Sequence, residues 1–340
     1  MLVGVCDYPG SYEFPPRGYG GIERWLWATA TGARQAGADV HLLGPAWRPE
    51  LRTDWETKPV RLEDISSGST ALRELRSAGY DLLIVGHEYP SHPAWRRIRE
   101  EIGCDVATFQ HDPNFQHDAD AFDRERARLY CYSQEMAERY AHHRPIRELA
   151  VHLGIGEAAP RAVAGRDLVW VGRIDAEKAP HLAARAAQLL GKRIRLVGPM
   201  FDANYVQQHE RLLGGGHVEW AGELGGAAKT AAFSEASTFV YTYARQYIEA
   251  GAAVFGEALR AGTPVAALAW QEGTCAHAAL CDRTGAVATV TADHDDEAAA
   301  RALADAIMRT EELSPASVQD IGLDRFDPAR HFAALATRPC

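Results

Sequence analysis

The sequence predicts an α/β protein of two doubly wound domains, each built on a parallel sheet. Three observations carry this expectation. The 340 residues exceed the roughly 100 to 200 of a single domain. Short apolar runs alternate with amphipathic stretches along the whole chain, the pattern of repeated β-α-β units. From Gly154 to Gly165 the chain turns rich in Gly, Ala and Pro and loses apolar periodicity, which marks a boundary. The expected domains are 1–155 and 156–326.

Leu2–Val5 opens as a strand, Ile22 to Gln35 repeats apolar residues at helical spacing, Gly37 stops the helix, and Val40–Leu43 returns as a strand. Leu82–Val85, Val106–Phe109 and Leu129–Tyr132 follow as strands, each leading into a polar loop. The second half restarts at Leu168–Val171. It continues through Ile194–Val197, Val218–Trp220, Thr238–Thr242, Val265–Ala269 and Val287–Val290, with helices between. Ligands bind beyond the carboxyl ends of such strands, so the loops after them are where chemistry is sought.

A hydrophobic share of 46% with 24% charged residues excludes a disordered chain. The net charge of −10 argues against nucleic acid and anionic lipid as partners. No run of about 18 apolar residues is present to span a membrane, and MLVGVCDYPG lacks a basic leader region. A cytoplasmic protein without a transmembrane segment is expected. Cys6, Cys104, Cys131, Cys275, Cys281 and Cys340 show neither a CxxC pair nor zinc spacing, and most of them read as reduced core residues. Asp293-His294-Asp295-Asp296 leads into an Ala-rich helix, where acids are favoured by capping and the dipole. Neither a metal nor a cofactor is expected.

The long loop from Cys6 ends in Tyr19-Gly20-Gly21-Ile22-Glu23, where glycine lets the backbone approach a ligand at a helix start. It is no dinucleotide fingerprint, because the third glycine would fall on Glu23. His111, in Phe109-Gln110-His111-Asp112, and His87, in Val85-Gly86-His87-Glu88, both follow strands. Tyr19 and His87 are candidates for acceptor contact.

After the first strand of the second half, Gly172-Arg173-Ile174-Asp175-Ala176-Glu177-Lys178 sets two cations five residues apart. A planar fork and a point charge can neutralise a departing diphosphate; alternatively they pair with Asp175 or Glu177 as surface charges. Further on, Glu249 and Glu257 flank Ala-Gly-Ala-Ala-Val-Phe-Gly, and Ala-Leu-Arg-Ala-Gly262-Thr-Pro264-Val265 follows. Eight residues would set the glutamates about 80° apart on one helix, so Glu249 is assigned to a loop and the helix to a start near Gly251 or Ala252. Small residues Ala250, Gly251, Ala252 and Ala253 would let a diphosphate reach the first free N–H groups. Glu257, one turn in, either accepts ribose hydroxyls or sits where the dipole favours an acid.

The Glu249 to Glu257 spacing with its Glu-Ala-Leu-x-Ala-Gly-Thr-Pro-Val tail resembles the E-x7-E motif of the retaining glycosyltransferases of family 4. The Arg173 to Lys178 stretch is similar to that family's donor-phosphate segment, Gly20 and Gly21 to its N-terminal loop, and His111 to its active-site histidine. The resemblance implies the GT-B fold: two Rossmann-like domains facing a deep cleft, the N-terminal one for the acceptor and the C-terminal one for the nucleotide sugar. The segment 327–340 would pack back on the first. It also implies retaining, metal-independent transfer of a hexosyl unit from a nucleoside-diphosphate sugar, with UDP or GDP, to a small-molecule or oligosaccharide acceptor. His111, Glu249, Arg173 and Lys178 would be catalytic. Gly20, Gly21, Arg173, Lys178, Glu249, Ala250, Gly251, Ala252, Ala253 and Glu257 would bind the donor. Size and an Ala/Arg-rich composition resemble members from antibiotic pathways of the avilamycin type.

Two departures leave the donor sugar open. Gly251 replaces the family's usual aromatic, and Ala269-Trp270-Gln271-Glu272-Gly273 lacks its Gly-Gly turn. The rival readings are a sugar-nucleotide epimerase of the same fold and a non-catalytic sugar-nucleotide-binding protein. A homodimer is compatible with each.

Overall fold

The computed structural model describes residues 1–8, 13–18, 20–86, 90, 92–109, 111, 113, 121–122, 126–143, 159–160, 162–291 and 293–337. The chain forms two compact units, one of 1–16, 20–155 and 327–340, the other of 17–19 and 156–326. The expected boundary stretch from Gly154 lies in part outside the described residues.

In the first unit β1 (Leu2–Cys6), α1 (Gly21–Gln35), β2 (Asp39–Leu43), β3 (Glu56–Lys58), α2 (Thr70–Ala78), β4 (Leu82–Val85), α3 (Ala94–Ile102), β5 (Asp105–Phe109), β6 (Ala127–Tyr130) and α4 (Gln134–Arg139) follow one another. The strands make one parallel sheet in the order β3-β2-β1-β4-β5-β6. The order reverses between β1 and β4, the switch point where such sheets open a crevice. β4 and β5 are buried throughout, and strands covered on both faces read as continuous apolar runs.

Two elements of the first unit differ from expectation by more than one residue. β3, Glu-Thr-Lys, has no apolar residue to announce it, because an edge strand needs none on its open side. The last strand is Ala127–Tyr130 rather than Leu129–Tyr132. Its register pairs Tyr130 with Phe109, and Ser133 already caps α4 by accepting from the Met136 N–H at 3.2 Å.

The second unit comprises β7 (Asp167–Val171), α5 (Pro180–Leu189), β8 (Ile194–Val197), α6 (Ala203–Gln208), α7 (Glu210–Leu213), β9 (Val218–Gly222), α8 (Gly226–Ser234), β10 (Ala236–Tyr241), α9 (Val254–Arg260), β11 (Val265–Ala269), α10 (Cys275–Ala279), β12 (Gly285–Thr289), α11 (Asp296–Thr310) and α12 (Pro315–Arg325). Its parallel sheet runs β12-β11-β10-β7-β8-β9, so the reversal falls between β7 and β10. Asp295 caps α11 by accepting from the Ala298 N–H at 2.8 Å, the structural part assigned to the acidic run. Gly262 ends α9 at φ 82°, where a Cβ would overlap that of Ala162. No helix among the described residues is long and apolar enough to cross a membrane.

The last helix, α13 (Pro328–Ala336), belongs to the first unit and packs on α1. A Cβ on Gly32 would overlap the Pro328 carbonyl, so glycine allows the two backbones to touch. Arg128, ion-paired with the buried Asp105, donates to the Leu335 carbonyl at 2.9 Å, as does the Tyr130 hydroxyl at 3.2 Å. These donors satisfy carbonyls that the helix leaves open at its end. Arg128→Ala strands a buried carboxylate and uncaps α13, and is expected to cost about 3–5 kcal/mol in urea unfolding. A loss below about 1 kcal/mol would show that the pair does not hold α13 in place.

Candidate functional site

The chain leaves β7 through a crossing that admits no side chain: a Cβ on Gly198 (φ 148°) would overlap the Gly172 carbonyl, and one on Gly172 would lie 2.9 Å from the Trp170 ring. The following loop is stapled from both sides. Asp175 accepts from the Lys178 N–H at 2.9 Å, and Ala179 turns into the left-handed region at φ 46°. The buried Thr242 hydroxyl, at the end of β10, accepts from the Trp170 indole at 2.9 Å and donates to the Lys178 carbonyl at 2.8 Å. The Ala244 N–H donates to the Glu177 carbonyl at 2.8 Å. The loops after β7 and β10 are thereby one structure.

That stapling brings Lys178 and Glu249 together in an ion pair with side chains 14% and 7% exposed. The Tyr241 hydroxyl donates to Glu249 Oε2 at 2.6 Å, and Lys178 Nζ lies 4.6 Å from the Tyr247 ring centroid. Arg173 is engaged otherwise: its guanidinium meets Asp175 at 3.3 Å and Glu177 at 2.5 Å, and stands 5.5 Å over the exposed ring of Phe201. Pairing within its own loop, the alternative left open by the sequence, is thus what Arg173 does. Lys178 does not follow it. The Tyr247 hydroxyl is pushed up to about 12, chiefly by burial, with Glu249 and Glu177 adding to the rise and Lys178 and Arg173 opposing it. Four charges therefore act on one hydroxyl.

Glu249 lies in a loop, as its spacing suggested. The helix start needs correction: α9 begins at Val254 with Ala253 as its cap, not near Gly251 or Ala252. Ala250, Gly251 and Ala252 stay in the connecting loop, because the chain must first carry Glu249 back to Lys178 and glycine resists helix entry. Ala250 and Ala252 are buried, while Gly251 and Ala253 are half-buried. Glu257 sits one turn into α9, buried, and pairs with Lys229 of α8 at 2.5 Å. Lys229 is a residue that sequence reasoning missed, although a signal existed. The chain has four lysines, Lys58, Lys178, Lys192 and Lys229, against 32 arginines, and two of those four meet the two glutamates of the spaced motif.

The other candidates belong to the first unit. Gly20 caps α1 at φ 149°, where a Cβ would lie 2.9 Å from Glu23 and 3.1 Å from Pro16; the backbone demands glycine there. Gly21, the first helical residue, has open space around its Cβ position. His111 follows β5 and packs among aromatics, 5.6 Å from Trp25 and 5.5 Å from Tyr132 between ring centroids. His331 of α13 reaches the same cluster, 5.6 Å from Phe109 and 6.1 Å from Trp25. Tyr19 and His87 lie outside the described residues. No three His, Cys, Asp or Glu among the described residues gather as a metal site.

Residues 160–315 match the family model described as glycosyl transferases group 1, and residues 19–153 that of glycosyltransferase family 4. Among solved structures the chain is similar to AviGT4, a glycosyltransferase involved in avilamycin A biosynthesis, with 21% identity and a TM-score of 0.70 over 99% of this chain and 97% of that one. It is similar to WaaG, a glycosyltransferase involved in lipopolysaccharide biosynthesis, with 15% identity and a TM-score of 0.65 over 98% of each. A glycosyltransferase from Rickettsia africae matches with 12% identity and a TM-score of 0.69 over 98% and 96%. Identities this low speak for a shared fold alone. No curated protein matches the chain.

Two outcomes follow from the buried charges. Lys178→Met and Glu249→Gln each leave one member of the pair stranded, so the double change should cost less than the two single costs added, by about 0.5–3 kcal/mol; full additivity in urea unfolding would show that the two side chains do not interact. Burial holds the His331 imidazole down at about 3, below the roughly 6.5 of an unfolded chain. Its protonation therefore favours unfolding, and stability present above pH 6.5 is lost as pH falls towards 3, by about 1.4 kcal/mol per pH unit. His331→Phe should flatten that slope between pH 6.5 and 4, and parallel slopes in the two proteins would contradict it.

Proposed function

The chain belongs to the glycosyltransferases of the GT-B architecture, and on that premise we propose that it moves a hexosyl unit from a UDP- or GDP-sugar to an acceptor hydroxyl, releasing the nucleoside diphosphate, retaining the anomeric configuration and using no metal. The observation that carries this reading is the buried Lys178–Glu249 pair beside Arg173 at the carboxyl ends of β7 and β10. An arriving diphosphate offers Lys178 a doubly charged partner. Glu249, released from it, then accepts hydroxyls of the donor sugar. Arg173 exchanges the half-exposed Glu177 for phosphate oxygens that match its planar fork.

The chemistry follows from what these cations do. As the acceptor oxygen bonds to the anomeric carbon on the face the diphosphate leaves, the carbon–oxygen bond to phosphate breaks and the acceptor proton passes to the departing phosphate oxygen. Arg173 and Lys178 interact more strongly as negative charge gathers on that phosphate, which is the condition for lowering a barrier. They thereby supply what a divalent cation supplies elsewhere. Glu257 takes the ribose hydroxyls. The donor roles of His111, Gly20, Gly21 and the Ala250–Ala253 stretch, and the acceptor roles of Tyr19 and His87, rest on the motif resemblance. AviGT4 and WaaG act in antibiotic and lipopolysaccharide biosynthesis, and assembly of a natural product or glycan in the cytoplasm is the setting this reading adopts.

Calorimetric titration with UDP, GDP and TDP in the presence of a chelator is expected to give tight binding of one of them. Arg173→Ala and Glu257→Ala should each weaken it about tenfold or more, the worth of a hydrogen bond to a charged group. Binding that requires added metal would overturn the metal-independent mechanism, and no binding by any nucleotide would sink the donor assignment.

A further inference from the structure

We infer that Lys229 is a positioning residue for nucleotide recognition, aiming the carboxylate of Glu257 at the ribose hydroxyls; the inference rests on the reading of Glu257 as the ribose contact. Lys229 is the fourth residue of α8, and its Nζ lies 2.5 Å from Glu257 Oε2 with side chains 14% and 6% exposed.

Neither local propensity nor stability accounts for a lysine there. The positive end of a helix opposes a cation in its opening turns, and the first turn of α8 holds no acid to offset it. Glu257 needs no such partner to be tolerated locally, since it sits in the first turn of α9 where the helix field favours it. Burying an ammonium and a carboxylate costs desolvation that their attraction only roughly offsets, and an apolar pair of like volume would hold α8 to α9 as well. A choice that breaks a local rule without a stabilising return points to the site.

The kind of cation is also informative. Arginine is the common cation of this chain by 32 to four, and its fork tends to occupy both oxygens of a carboxylate. Lysine is a point charge that stands against Oε2 as an ion pair and so draws the carboxylate one way by charge without covering its whole edge. A carboxylate held in one direction loses less freedom on accepting two vicinal hydroxyls, which strengthens binding.

The test compares two probes, a nucleoside diphosphate, which carries the ribose, and inorganic pyrophosphate, which does not. Lys229→Met is expected to weaken nucleoside diphosphate binding about tenfold and to leave pyrophosphate binding unchanged. Glu257→Gln is expected to do the same. The double variant, which strands no charge and so stays foldable if Lys229→Met does not, should bind no more weakly than Glu257→Gln alone. Wild-type affinity in Lys229→Met, an equal loss for both probes, or full addition of the two losses in the double variant would each overturn the proposal. A wild-type protein that binds pyrophosphate and nucleoside diphosphate equally would overturn the ribose reading of Glu257, and this inference with it.

Discussion

Much of the second unit is arranged so that one half-buried lysine can reach one buried glutamate. Lys178 and Glu249 are 71 residues apart, on loops that follow two neighbouring strands. Neither charge is tolerable alone in a site this covered, since stranding one costs several kcal/mol. The Gly172 and Gly198 crossing, the left-handed turn at Ala179 and the Thr242 hydroxyl shared between Trp170 and Lys178 each serve that meeting. The strain of a non-glycine residue at φ 46° is of the kind that persists only where its surroundings over-determine it. Here the hydrogen bonds around the loop do so.

The same rule governs the other buried charges. Glu257 meets Lys229, and Asp105 meets Arg128. The last of these ties the C-terminal helix to β5 and β6. On the function proposed above, each internal partner in the second unit stands where an anionic or hydroxylated ligand would stand. On that reading, charges compensated from within hold the side chains in place, and binding exchanges their partners. Such preorganisation reduces what binding must spend in ordering side chains.

Legibility in the sequence tracked how local the determining physics is. Leu82–Val85 and Val265–Ala269 could be bounded to the residue, because strands covered on both faces are continuous apolar runs. Glu-Thr-Lys at 56–58 was invisible, since an edge strand is defined by its neighbour's hydrogen bonds and not by its own side chains. The helix after Glu249 starts later than its small residues suggest, because a long-range ion pair, absent from any local window, keeps Ala250 to Ala252 in a loop. The glutamate spacing and the Arg173 to Lys178 segment were readable as motifs, and the structure joins one member of each. Arg173 meanwhile turns to Asp175 and Glu177, four residues or fewer away, as charge spacing alone allows.

Periodicity and punctuation act over a few residues, and for that reason the sequence by itself determined the alternation of strands and helices, the doubly wound class, the loop position of Glu249 and the helical position of Glu257. Strand order, and with it the choice of which loops lie side by side, depends on pairings between distant segments that no short window encodes. Tertiary structure alone therefore decided that Lys178 answers Glu249, that Thr242 staples the two loops, and that Lys229, an unremarked residue of an alanine-rich helix, faces Glu257.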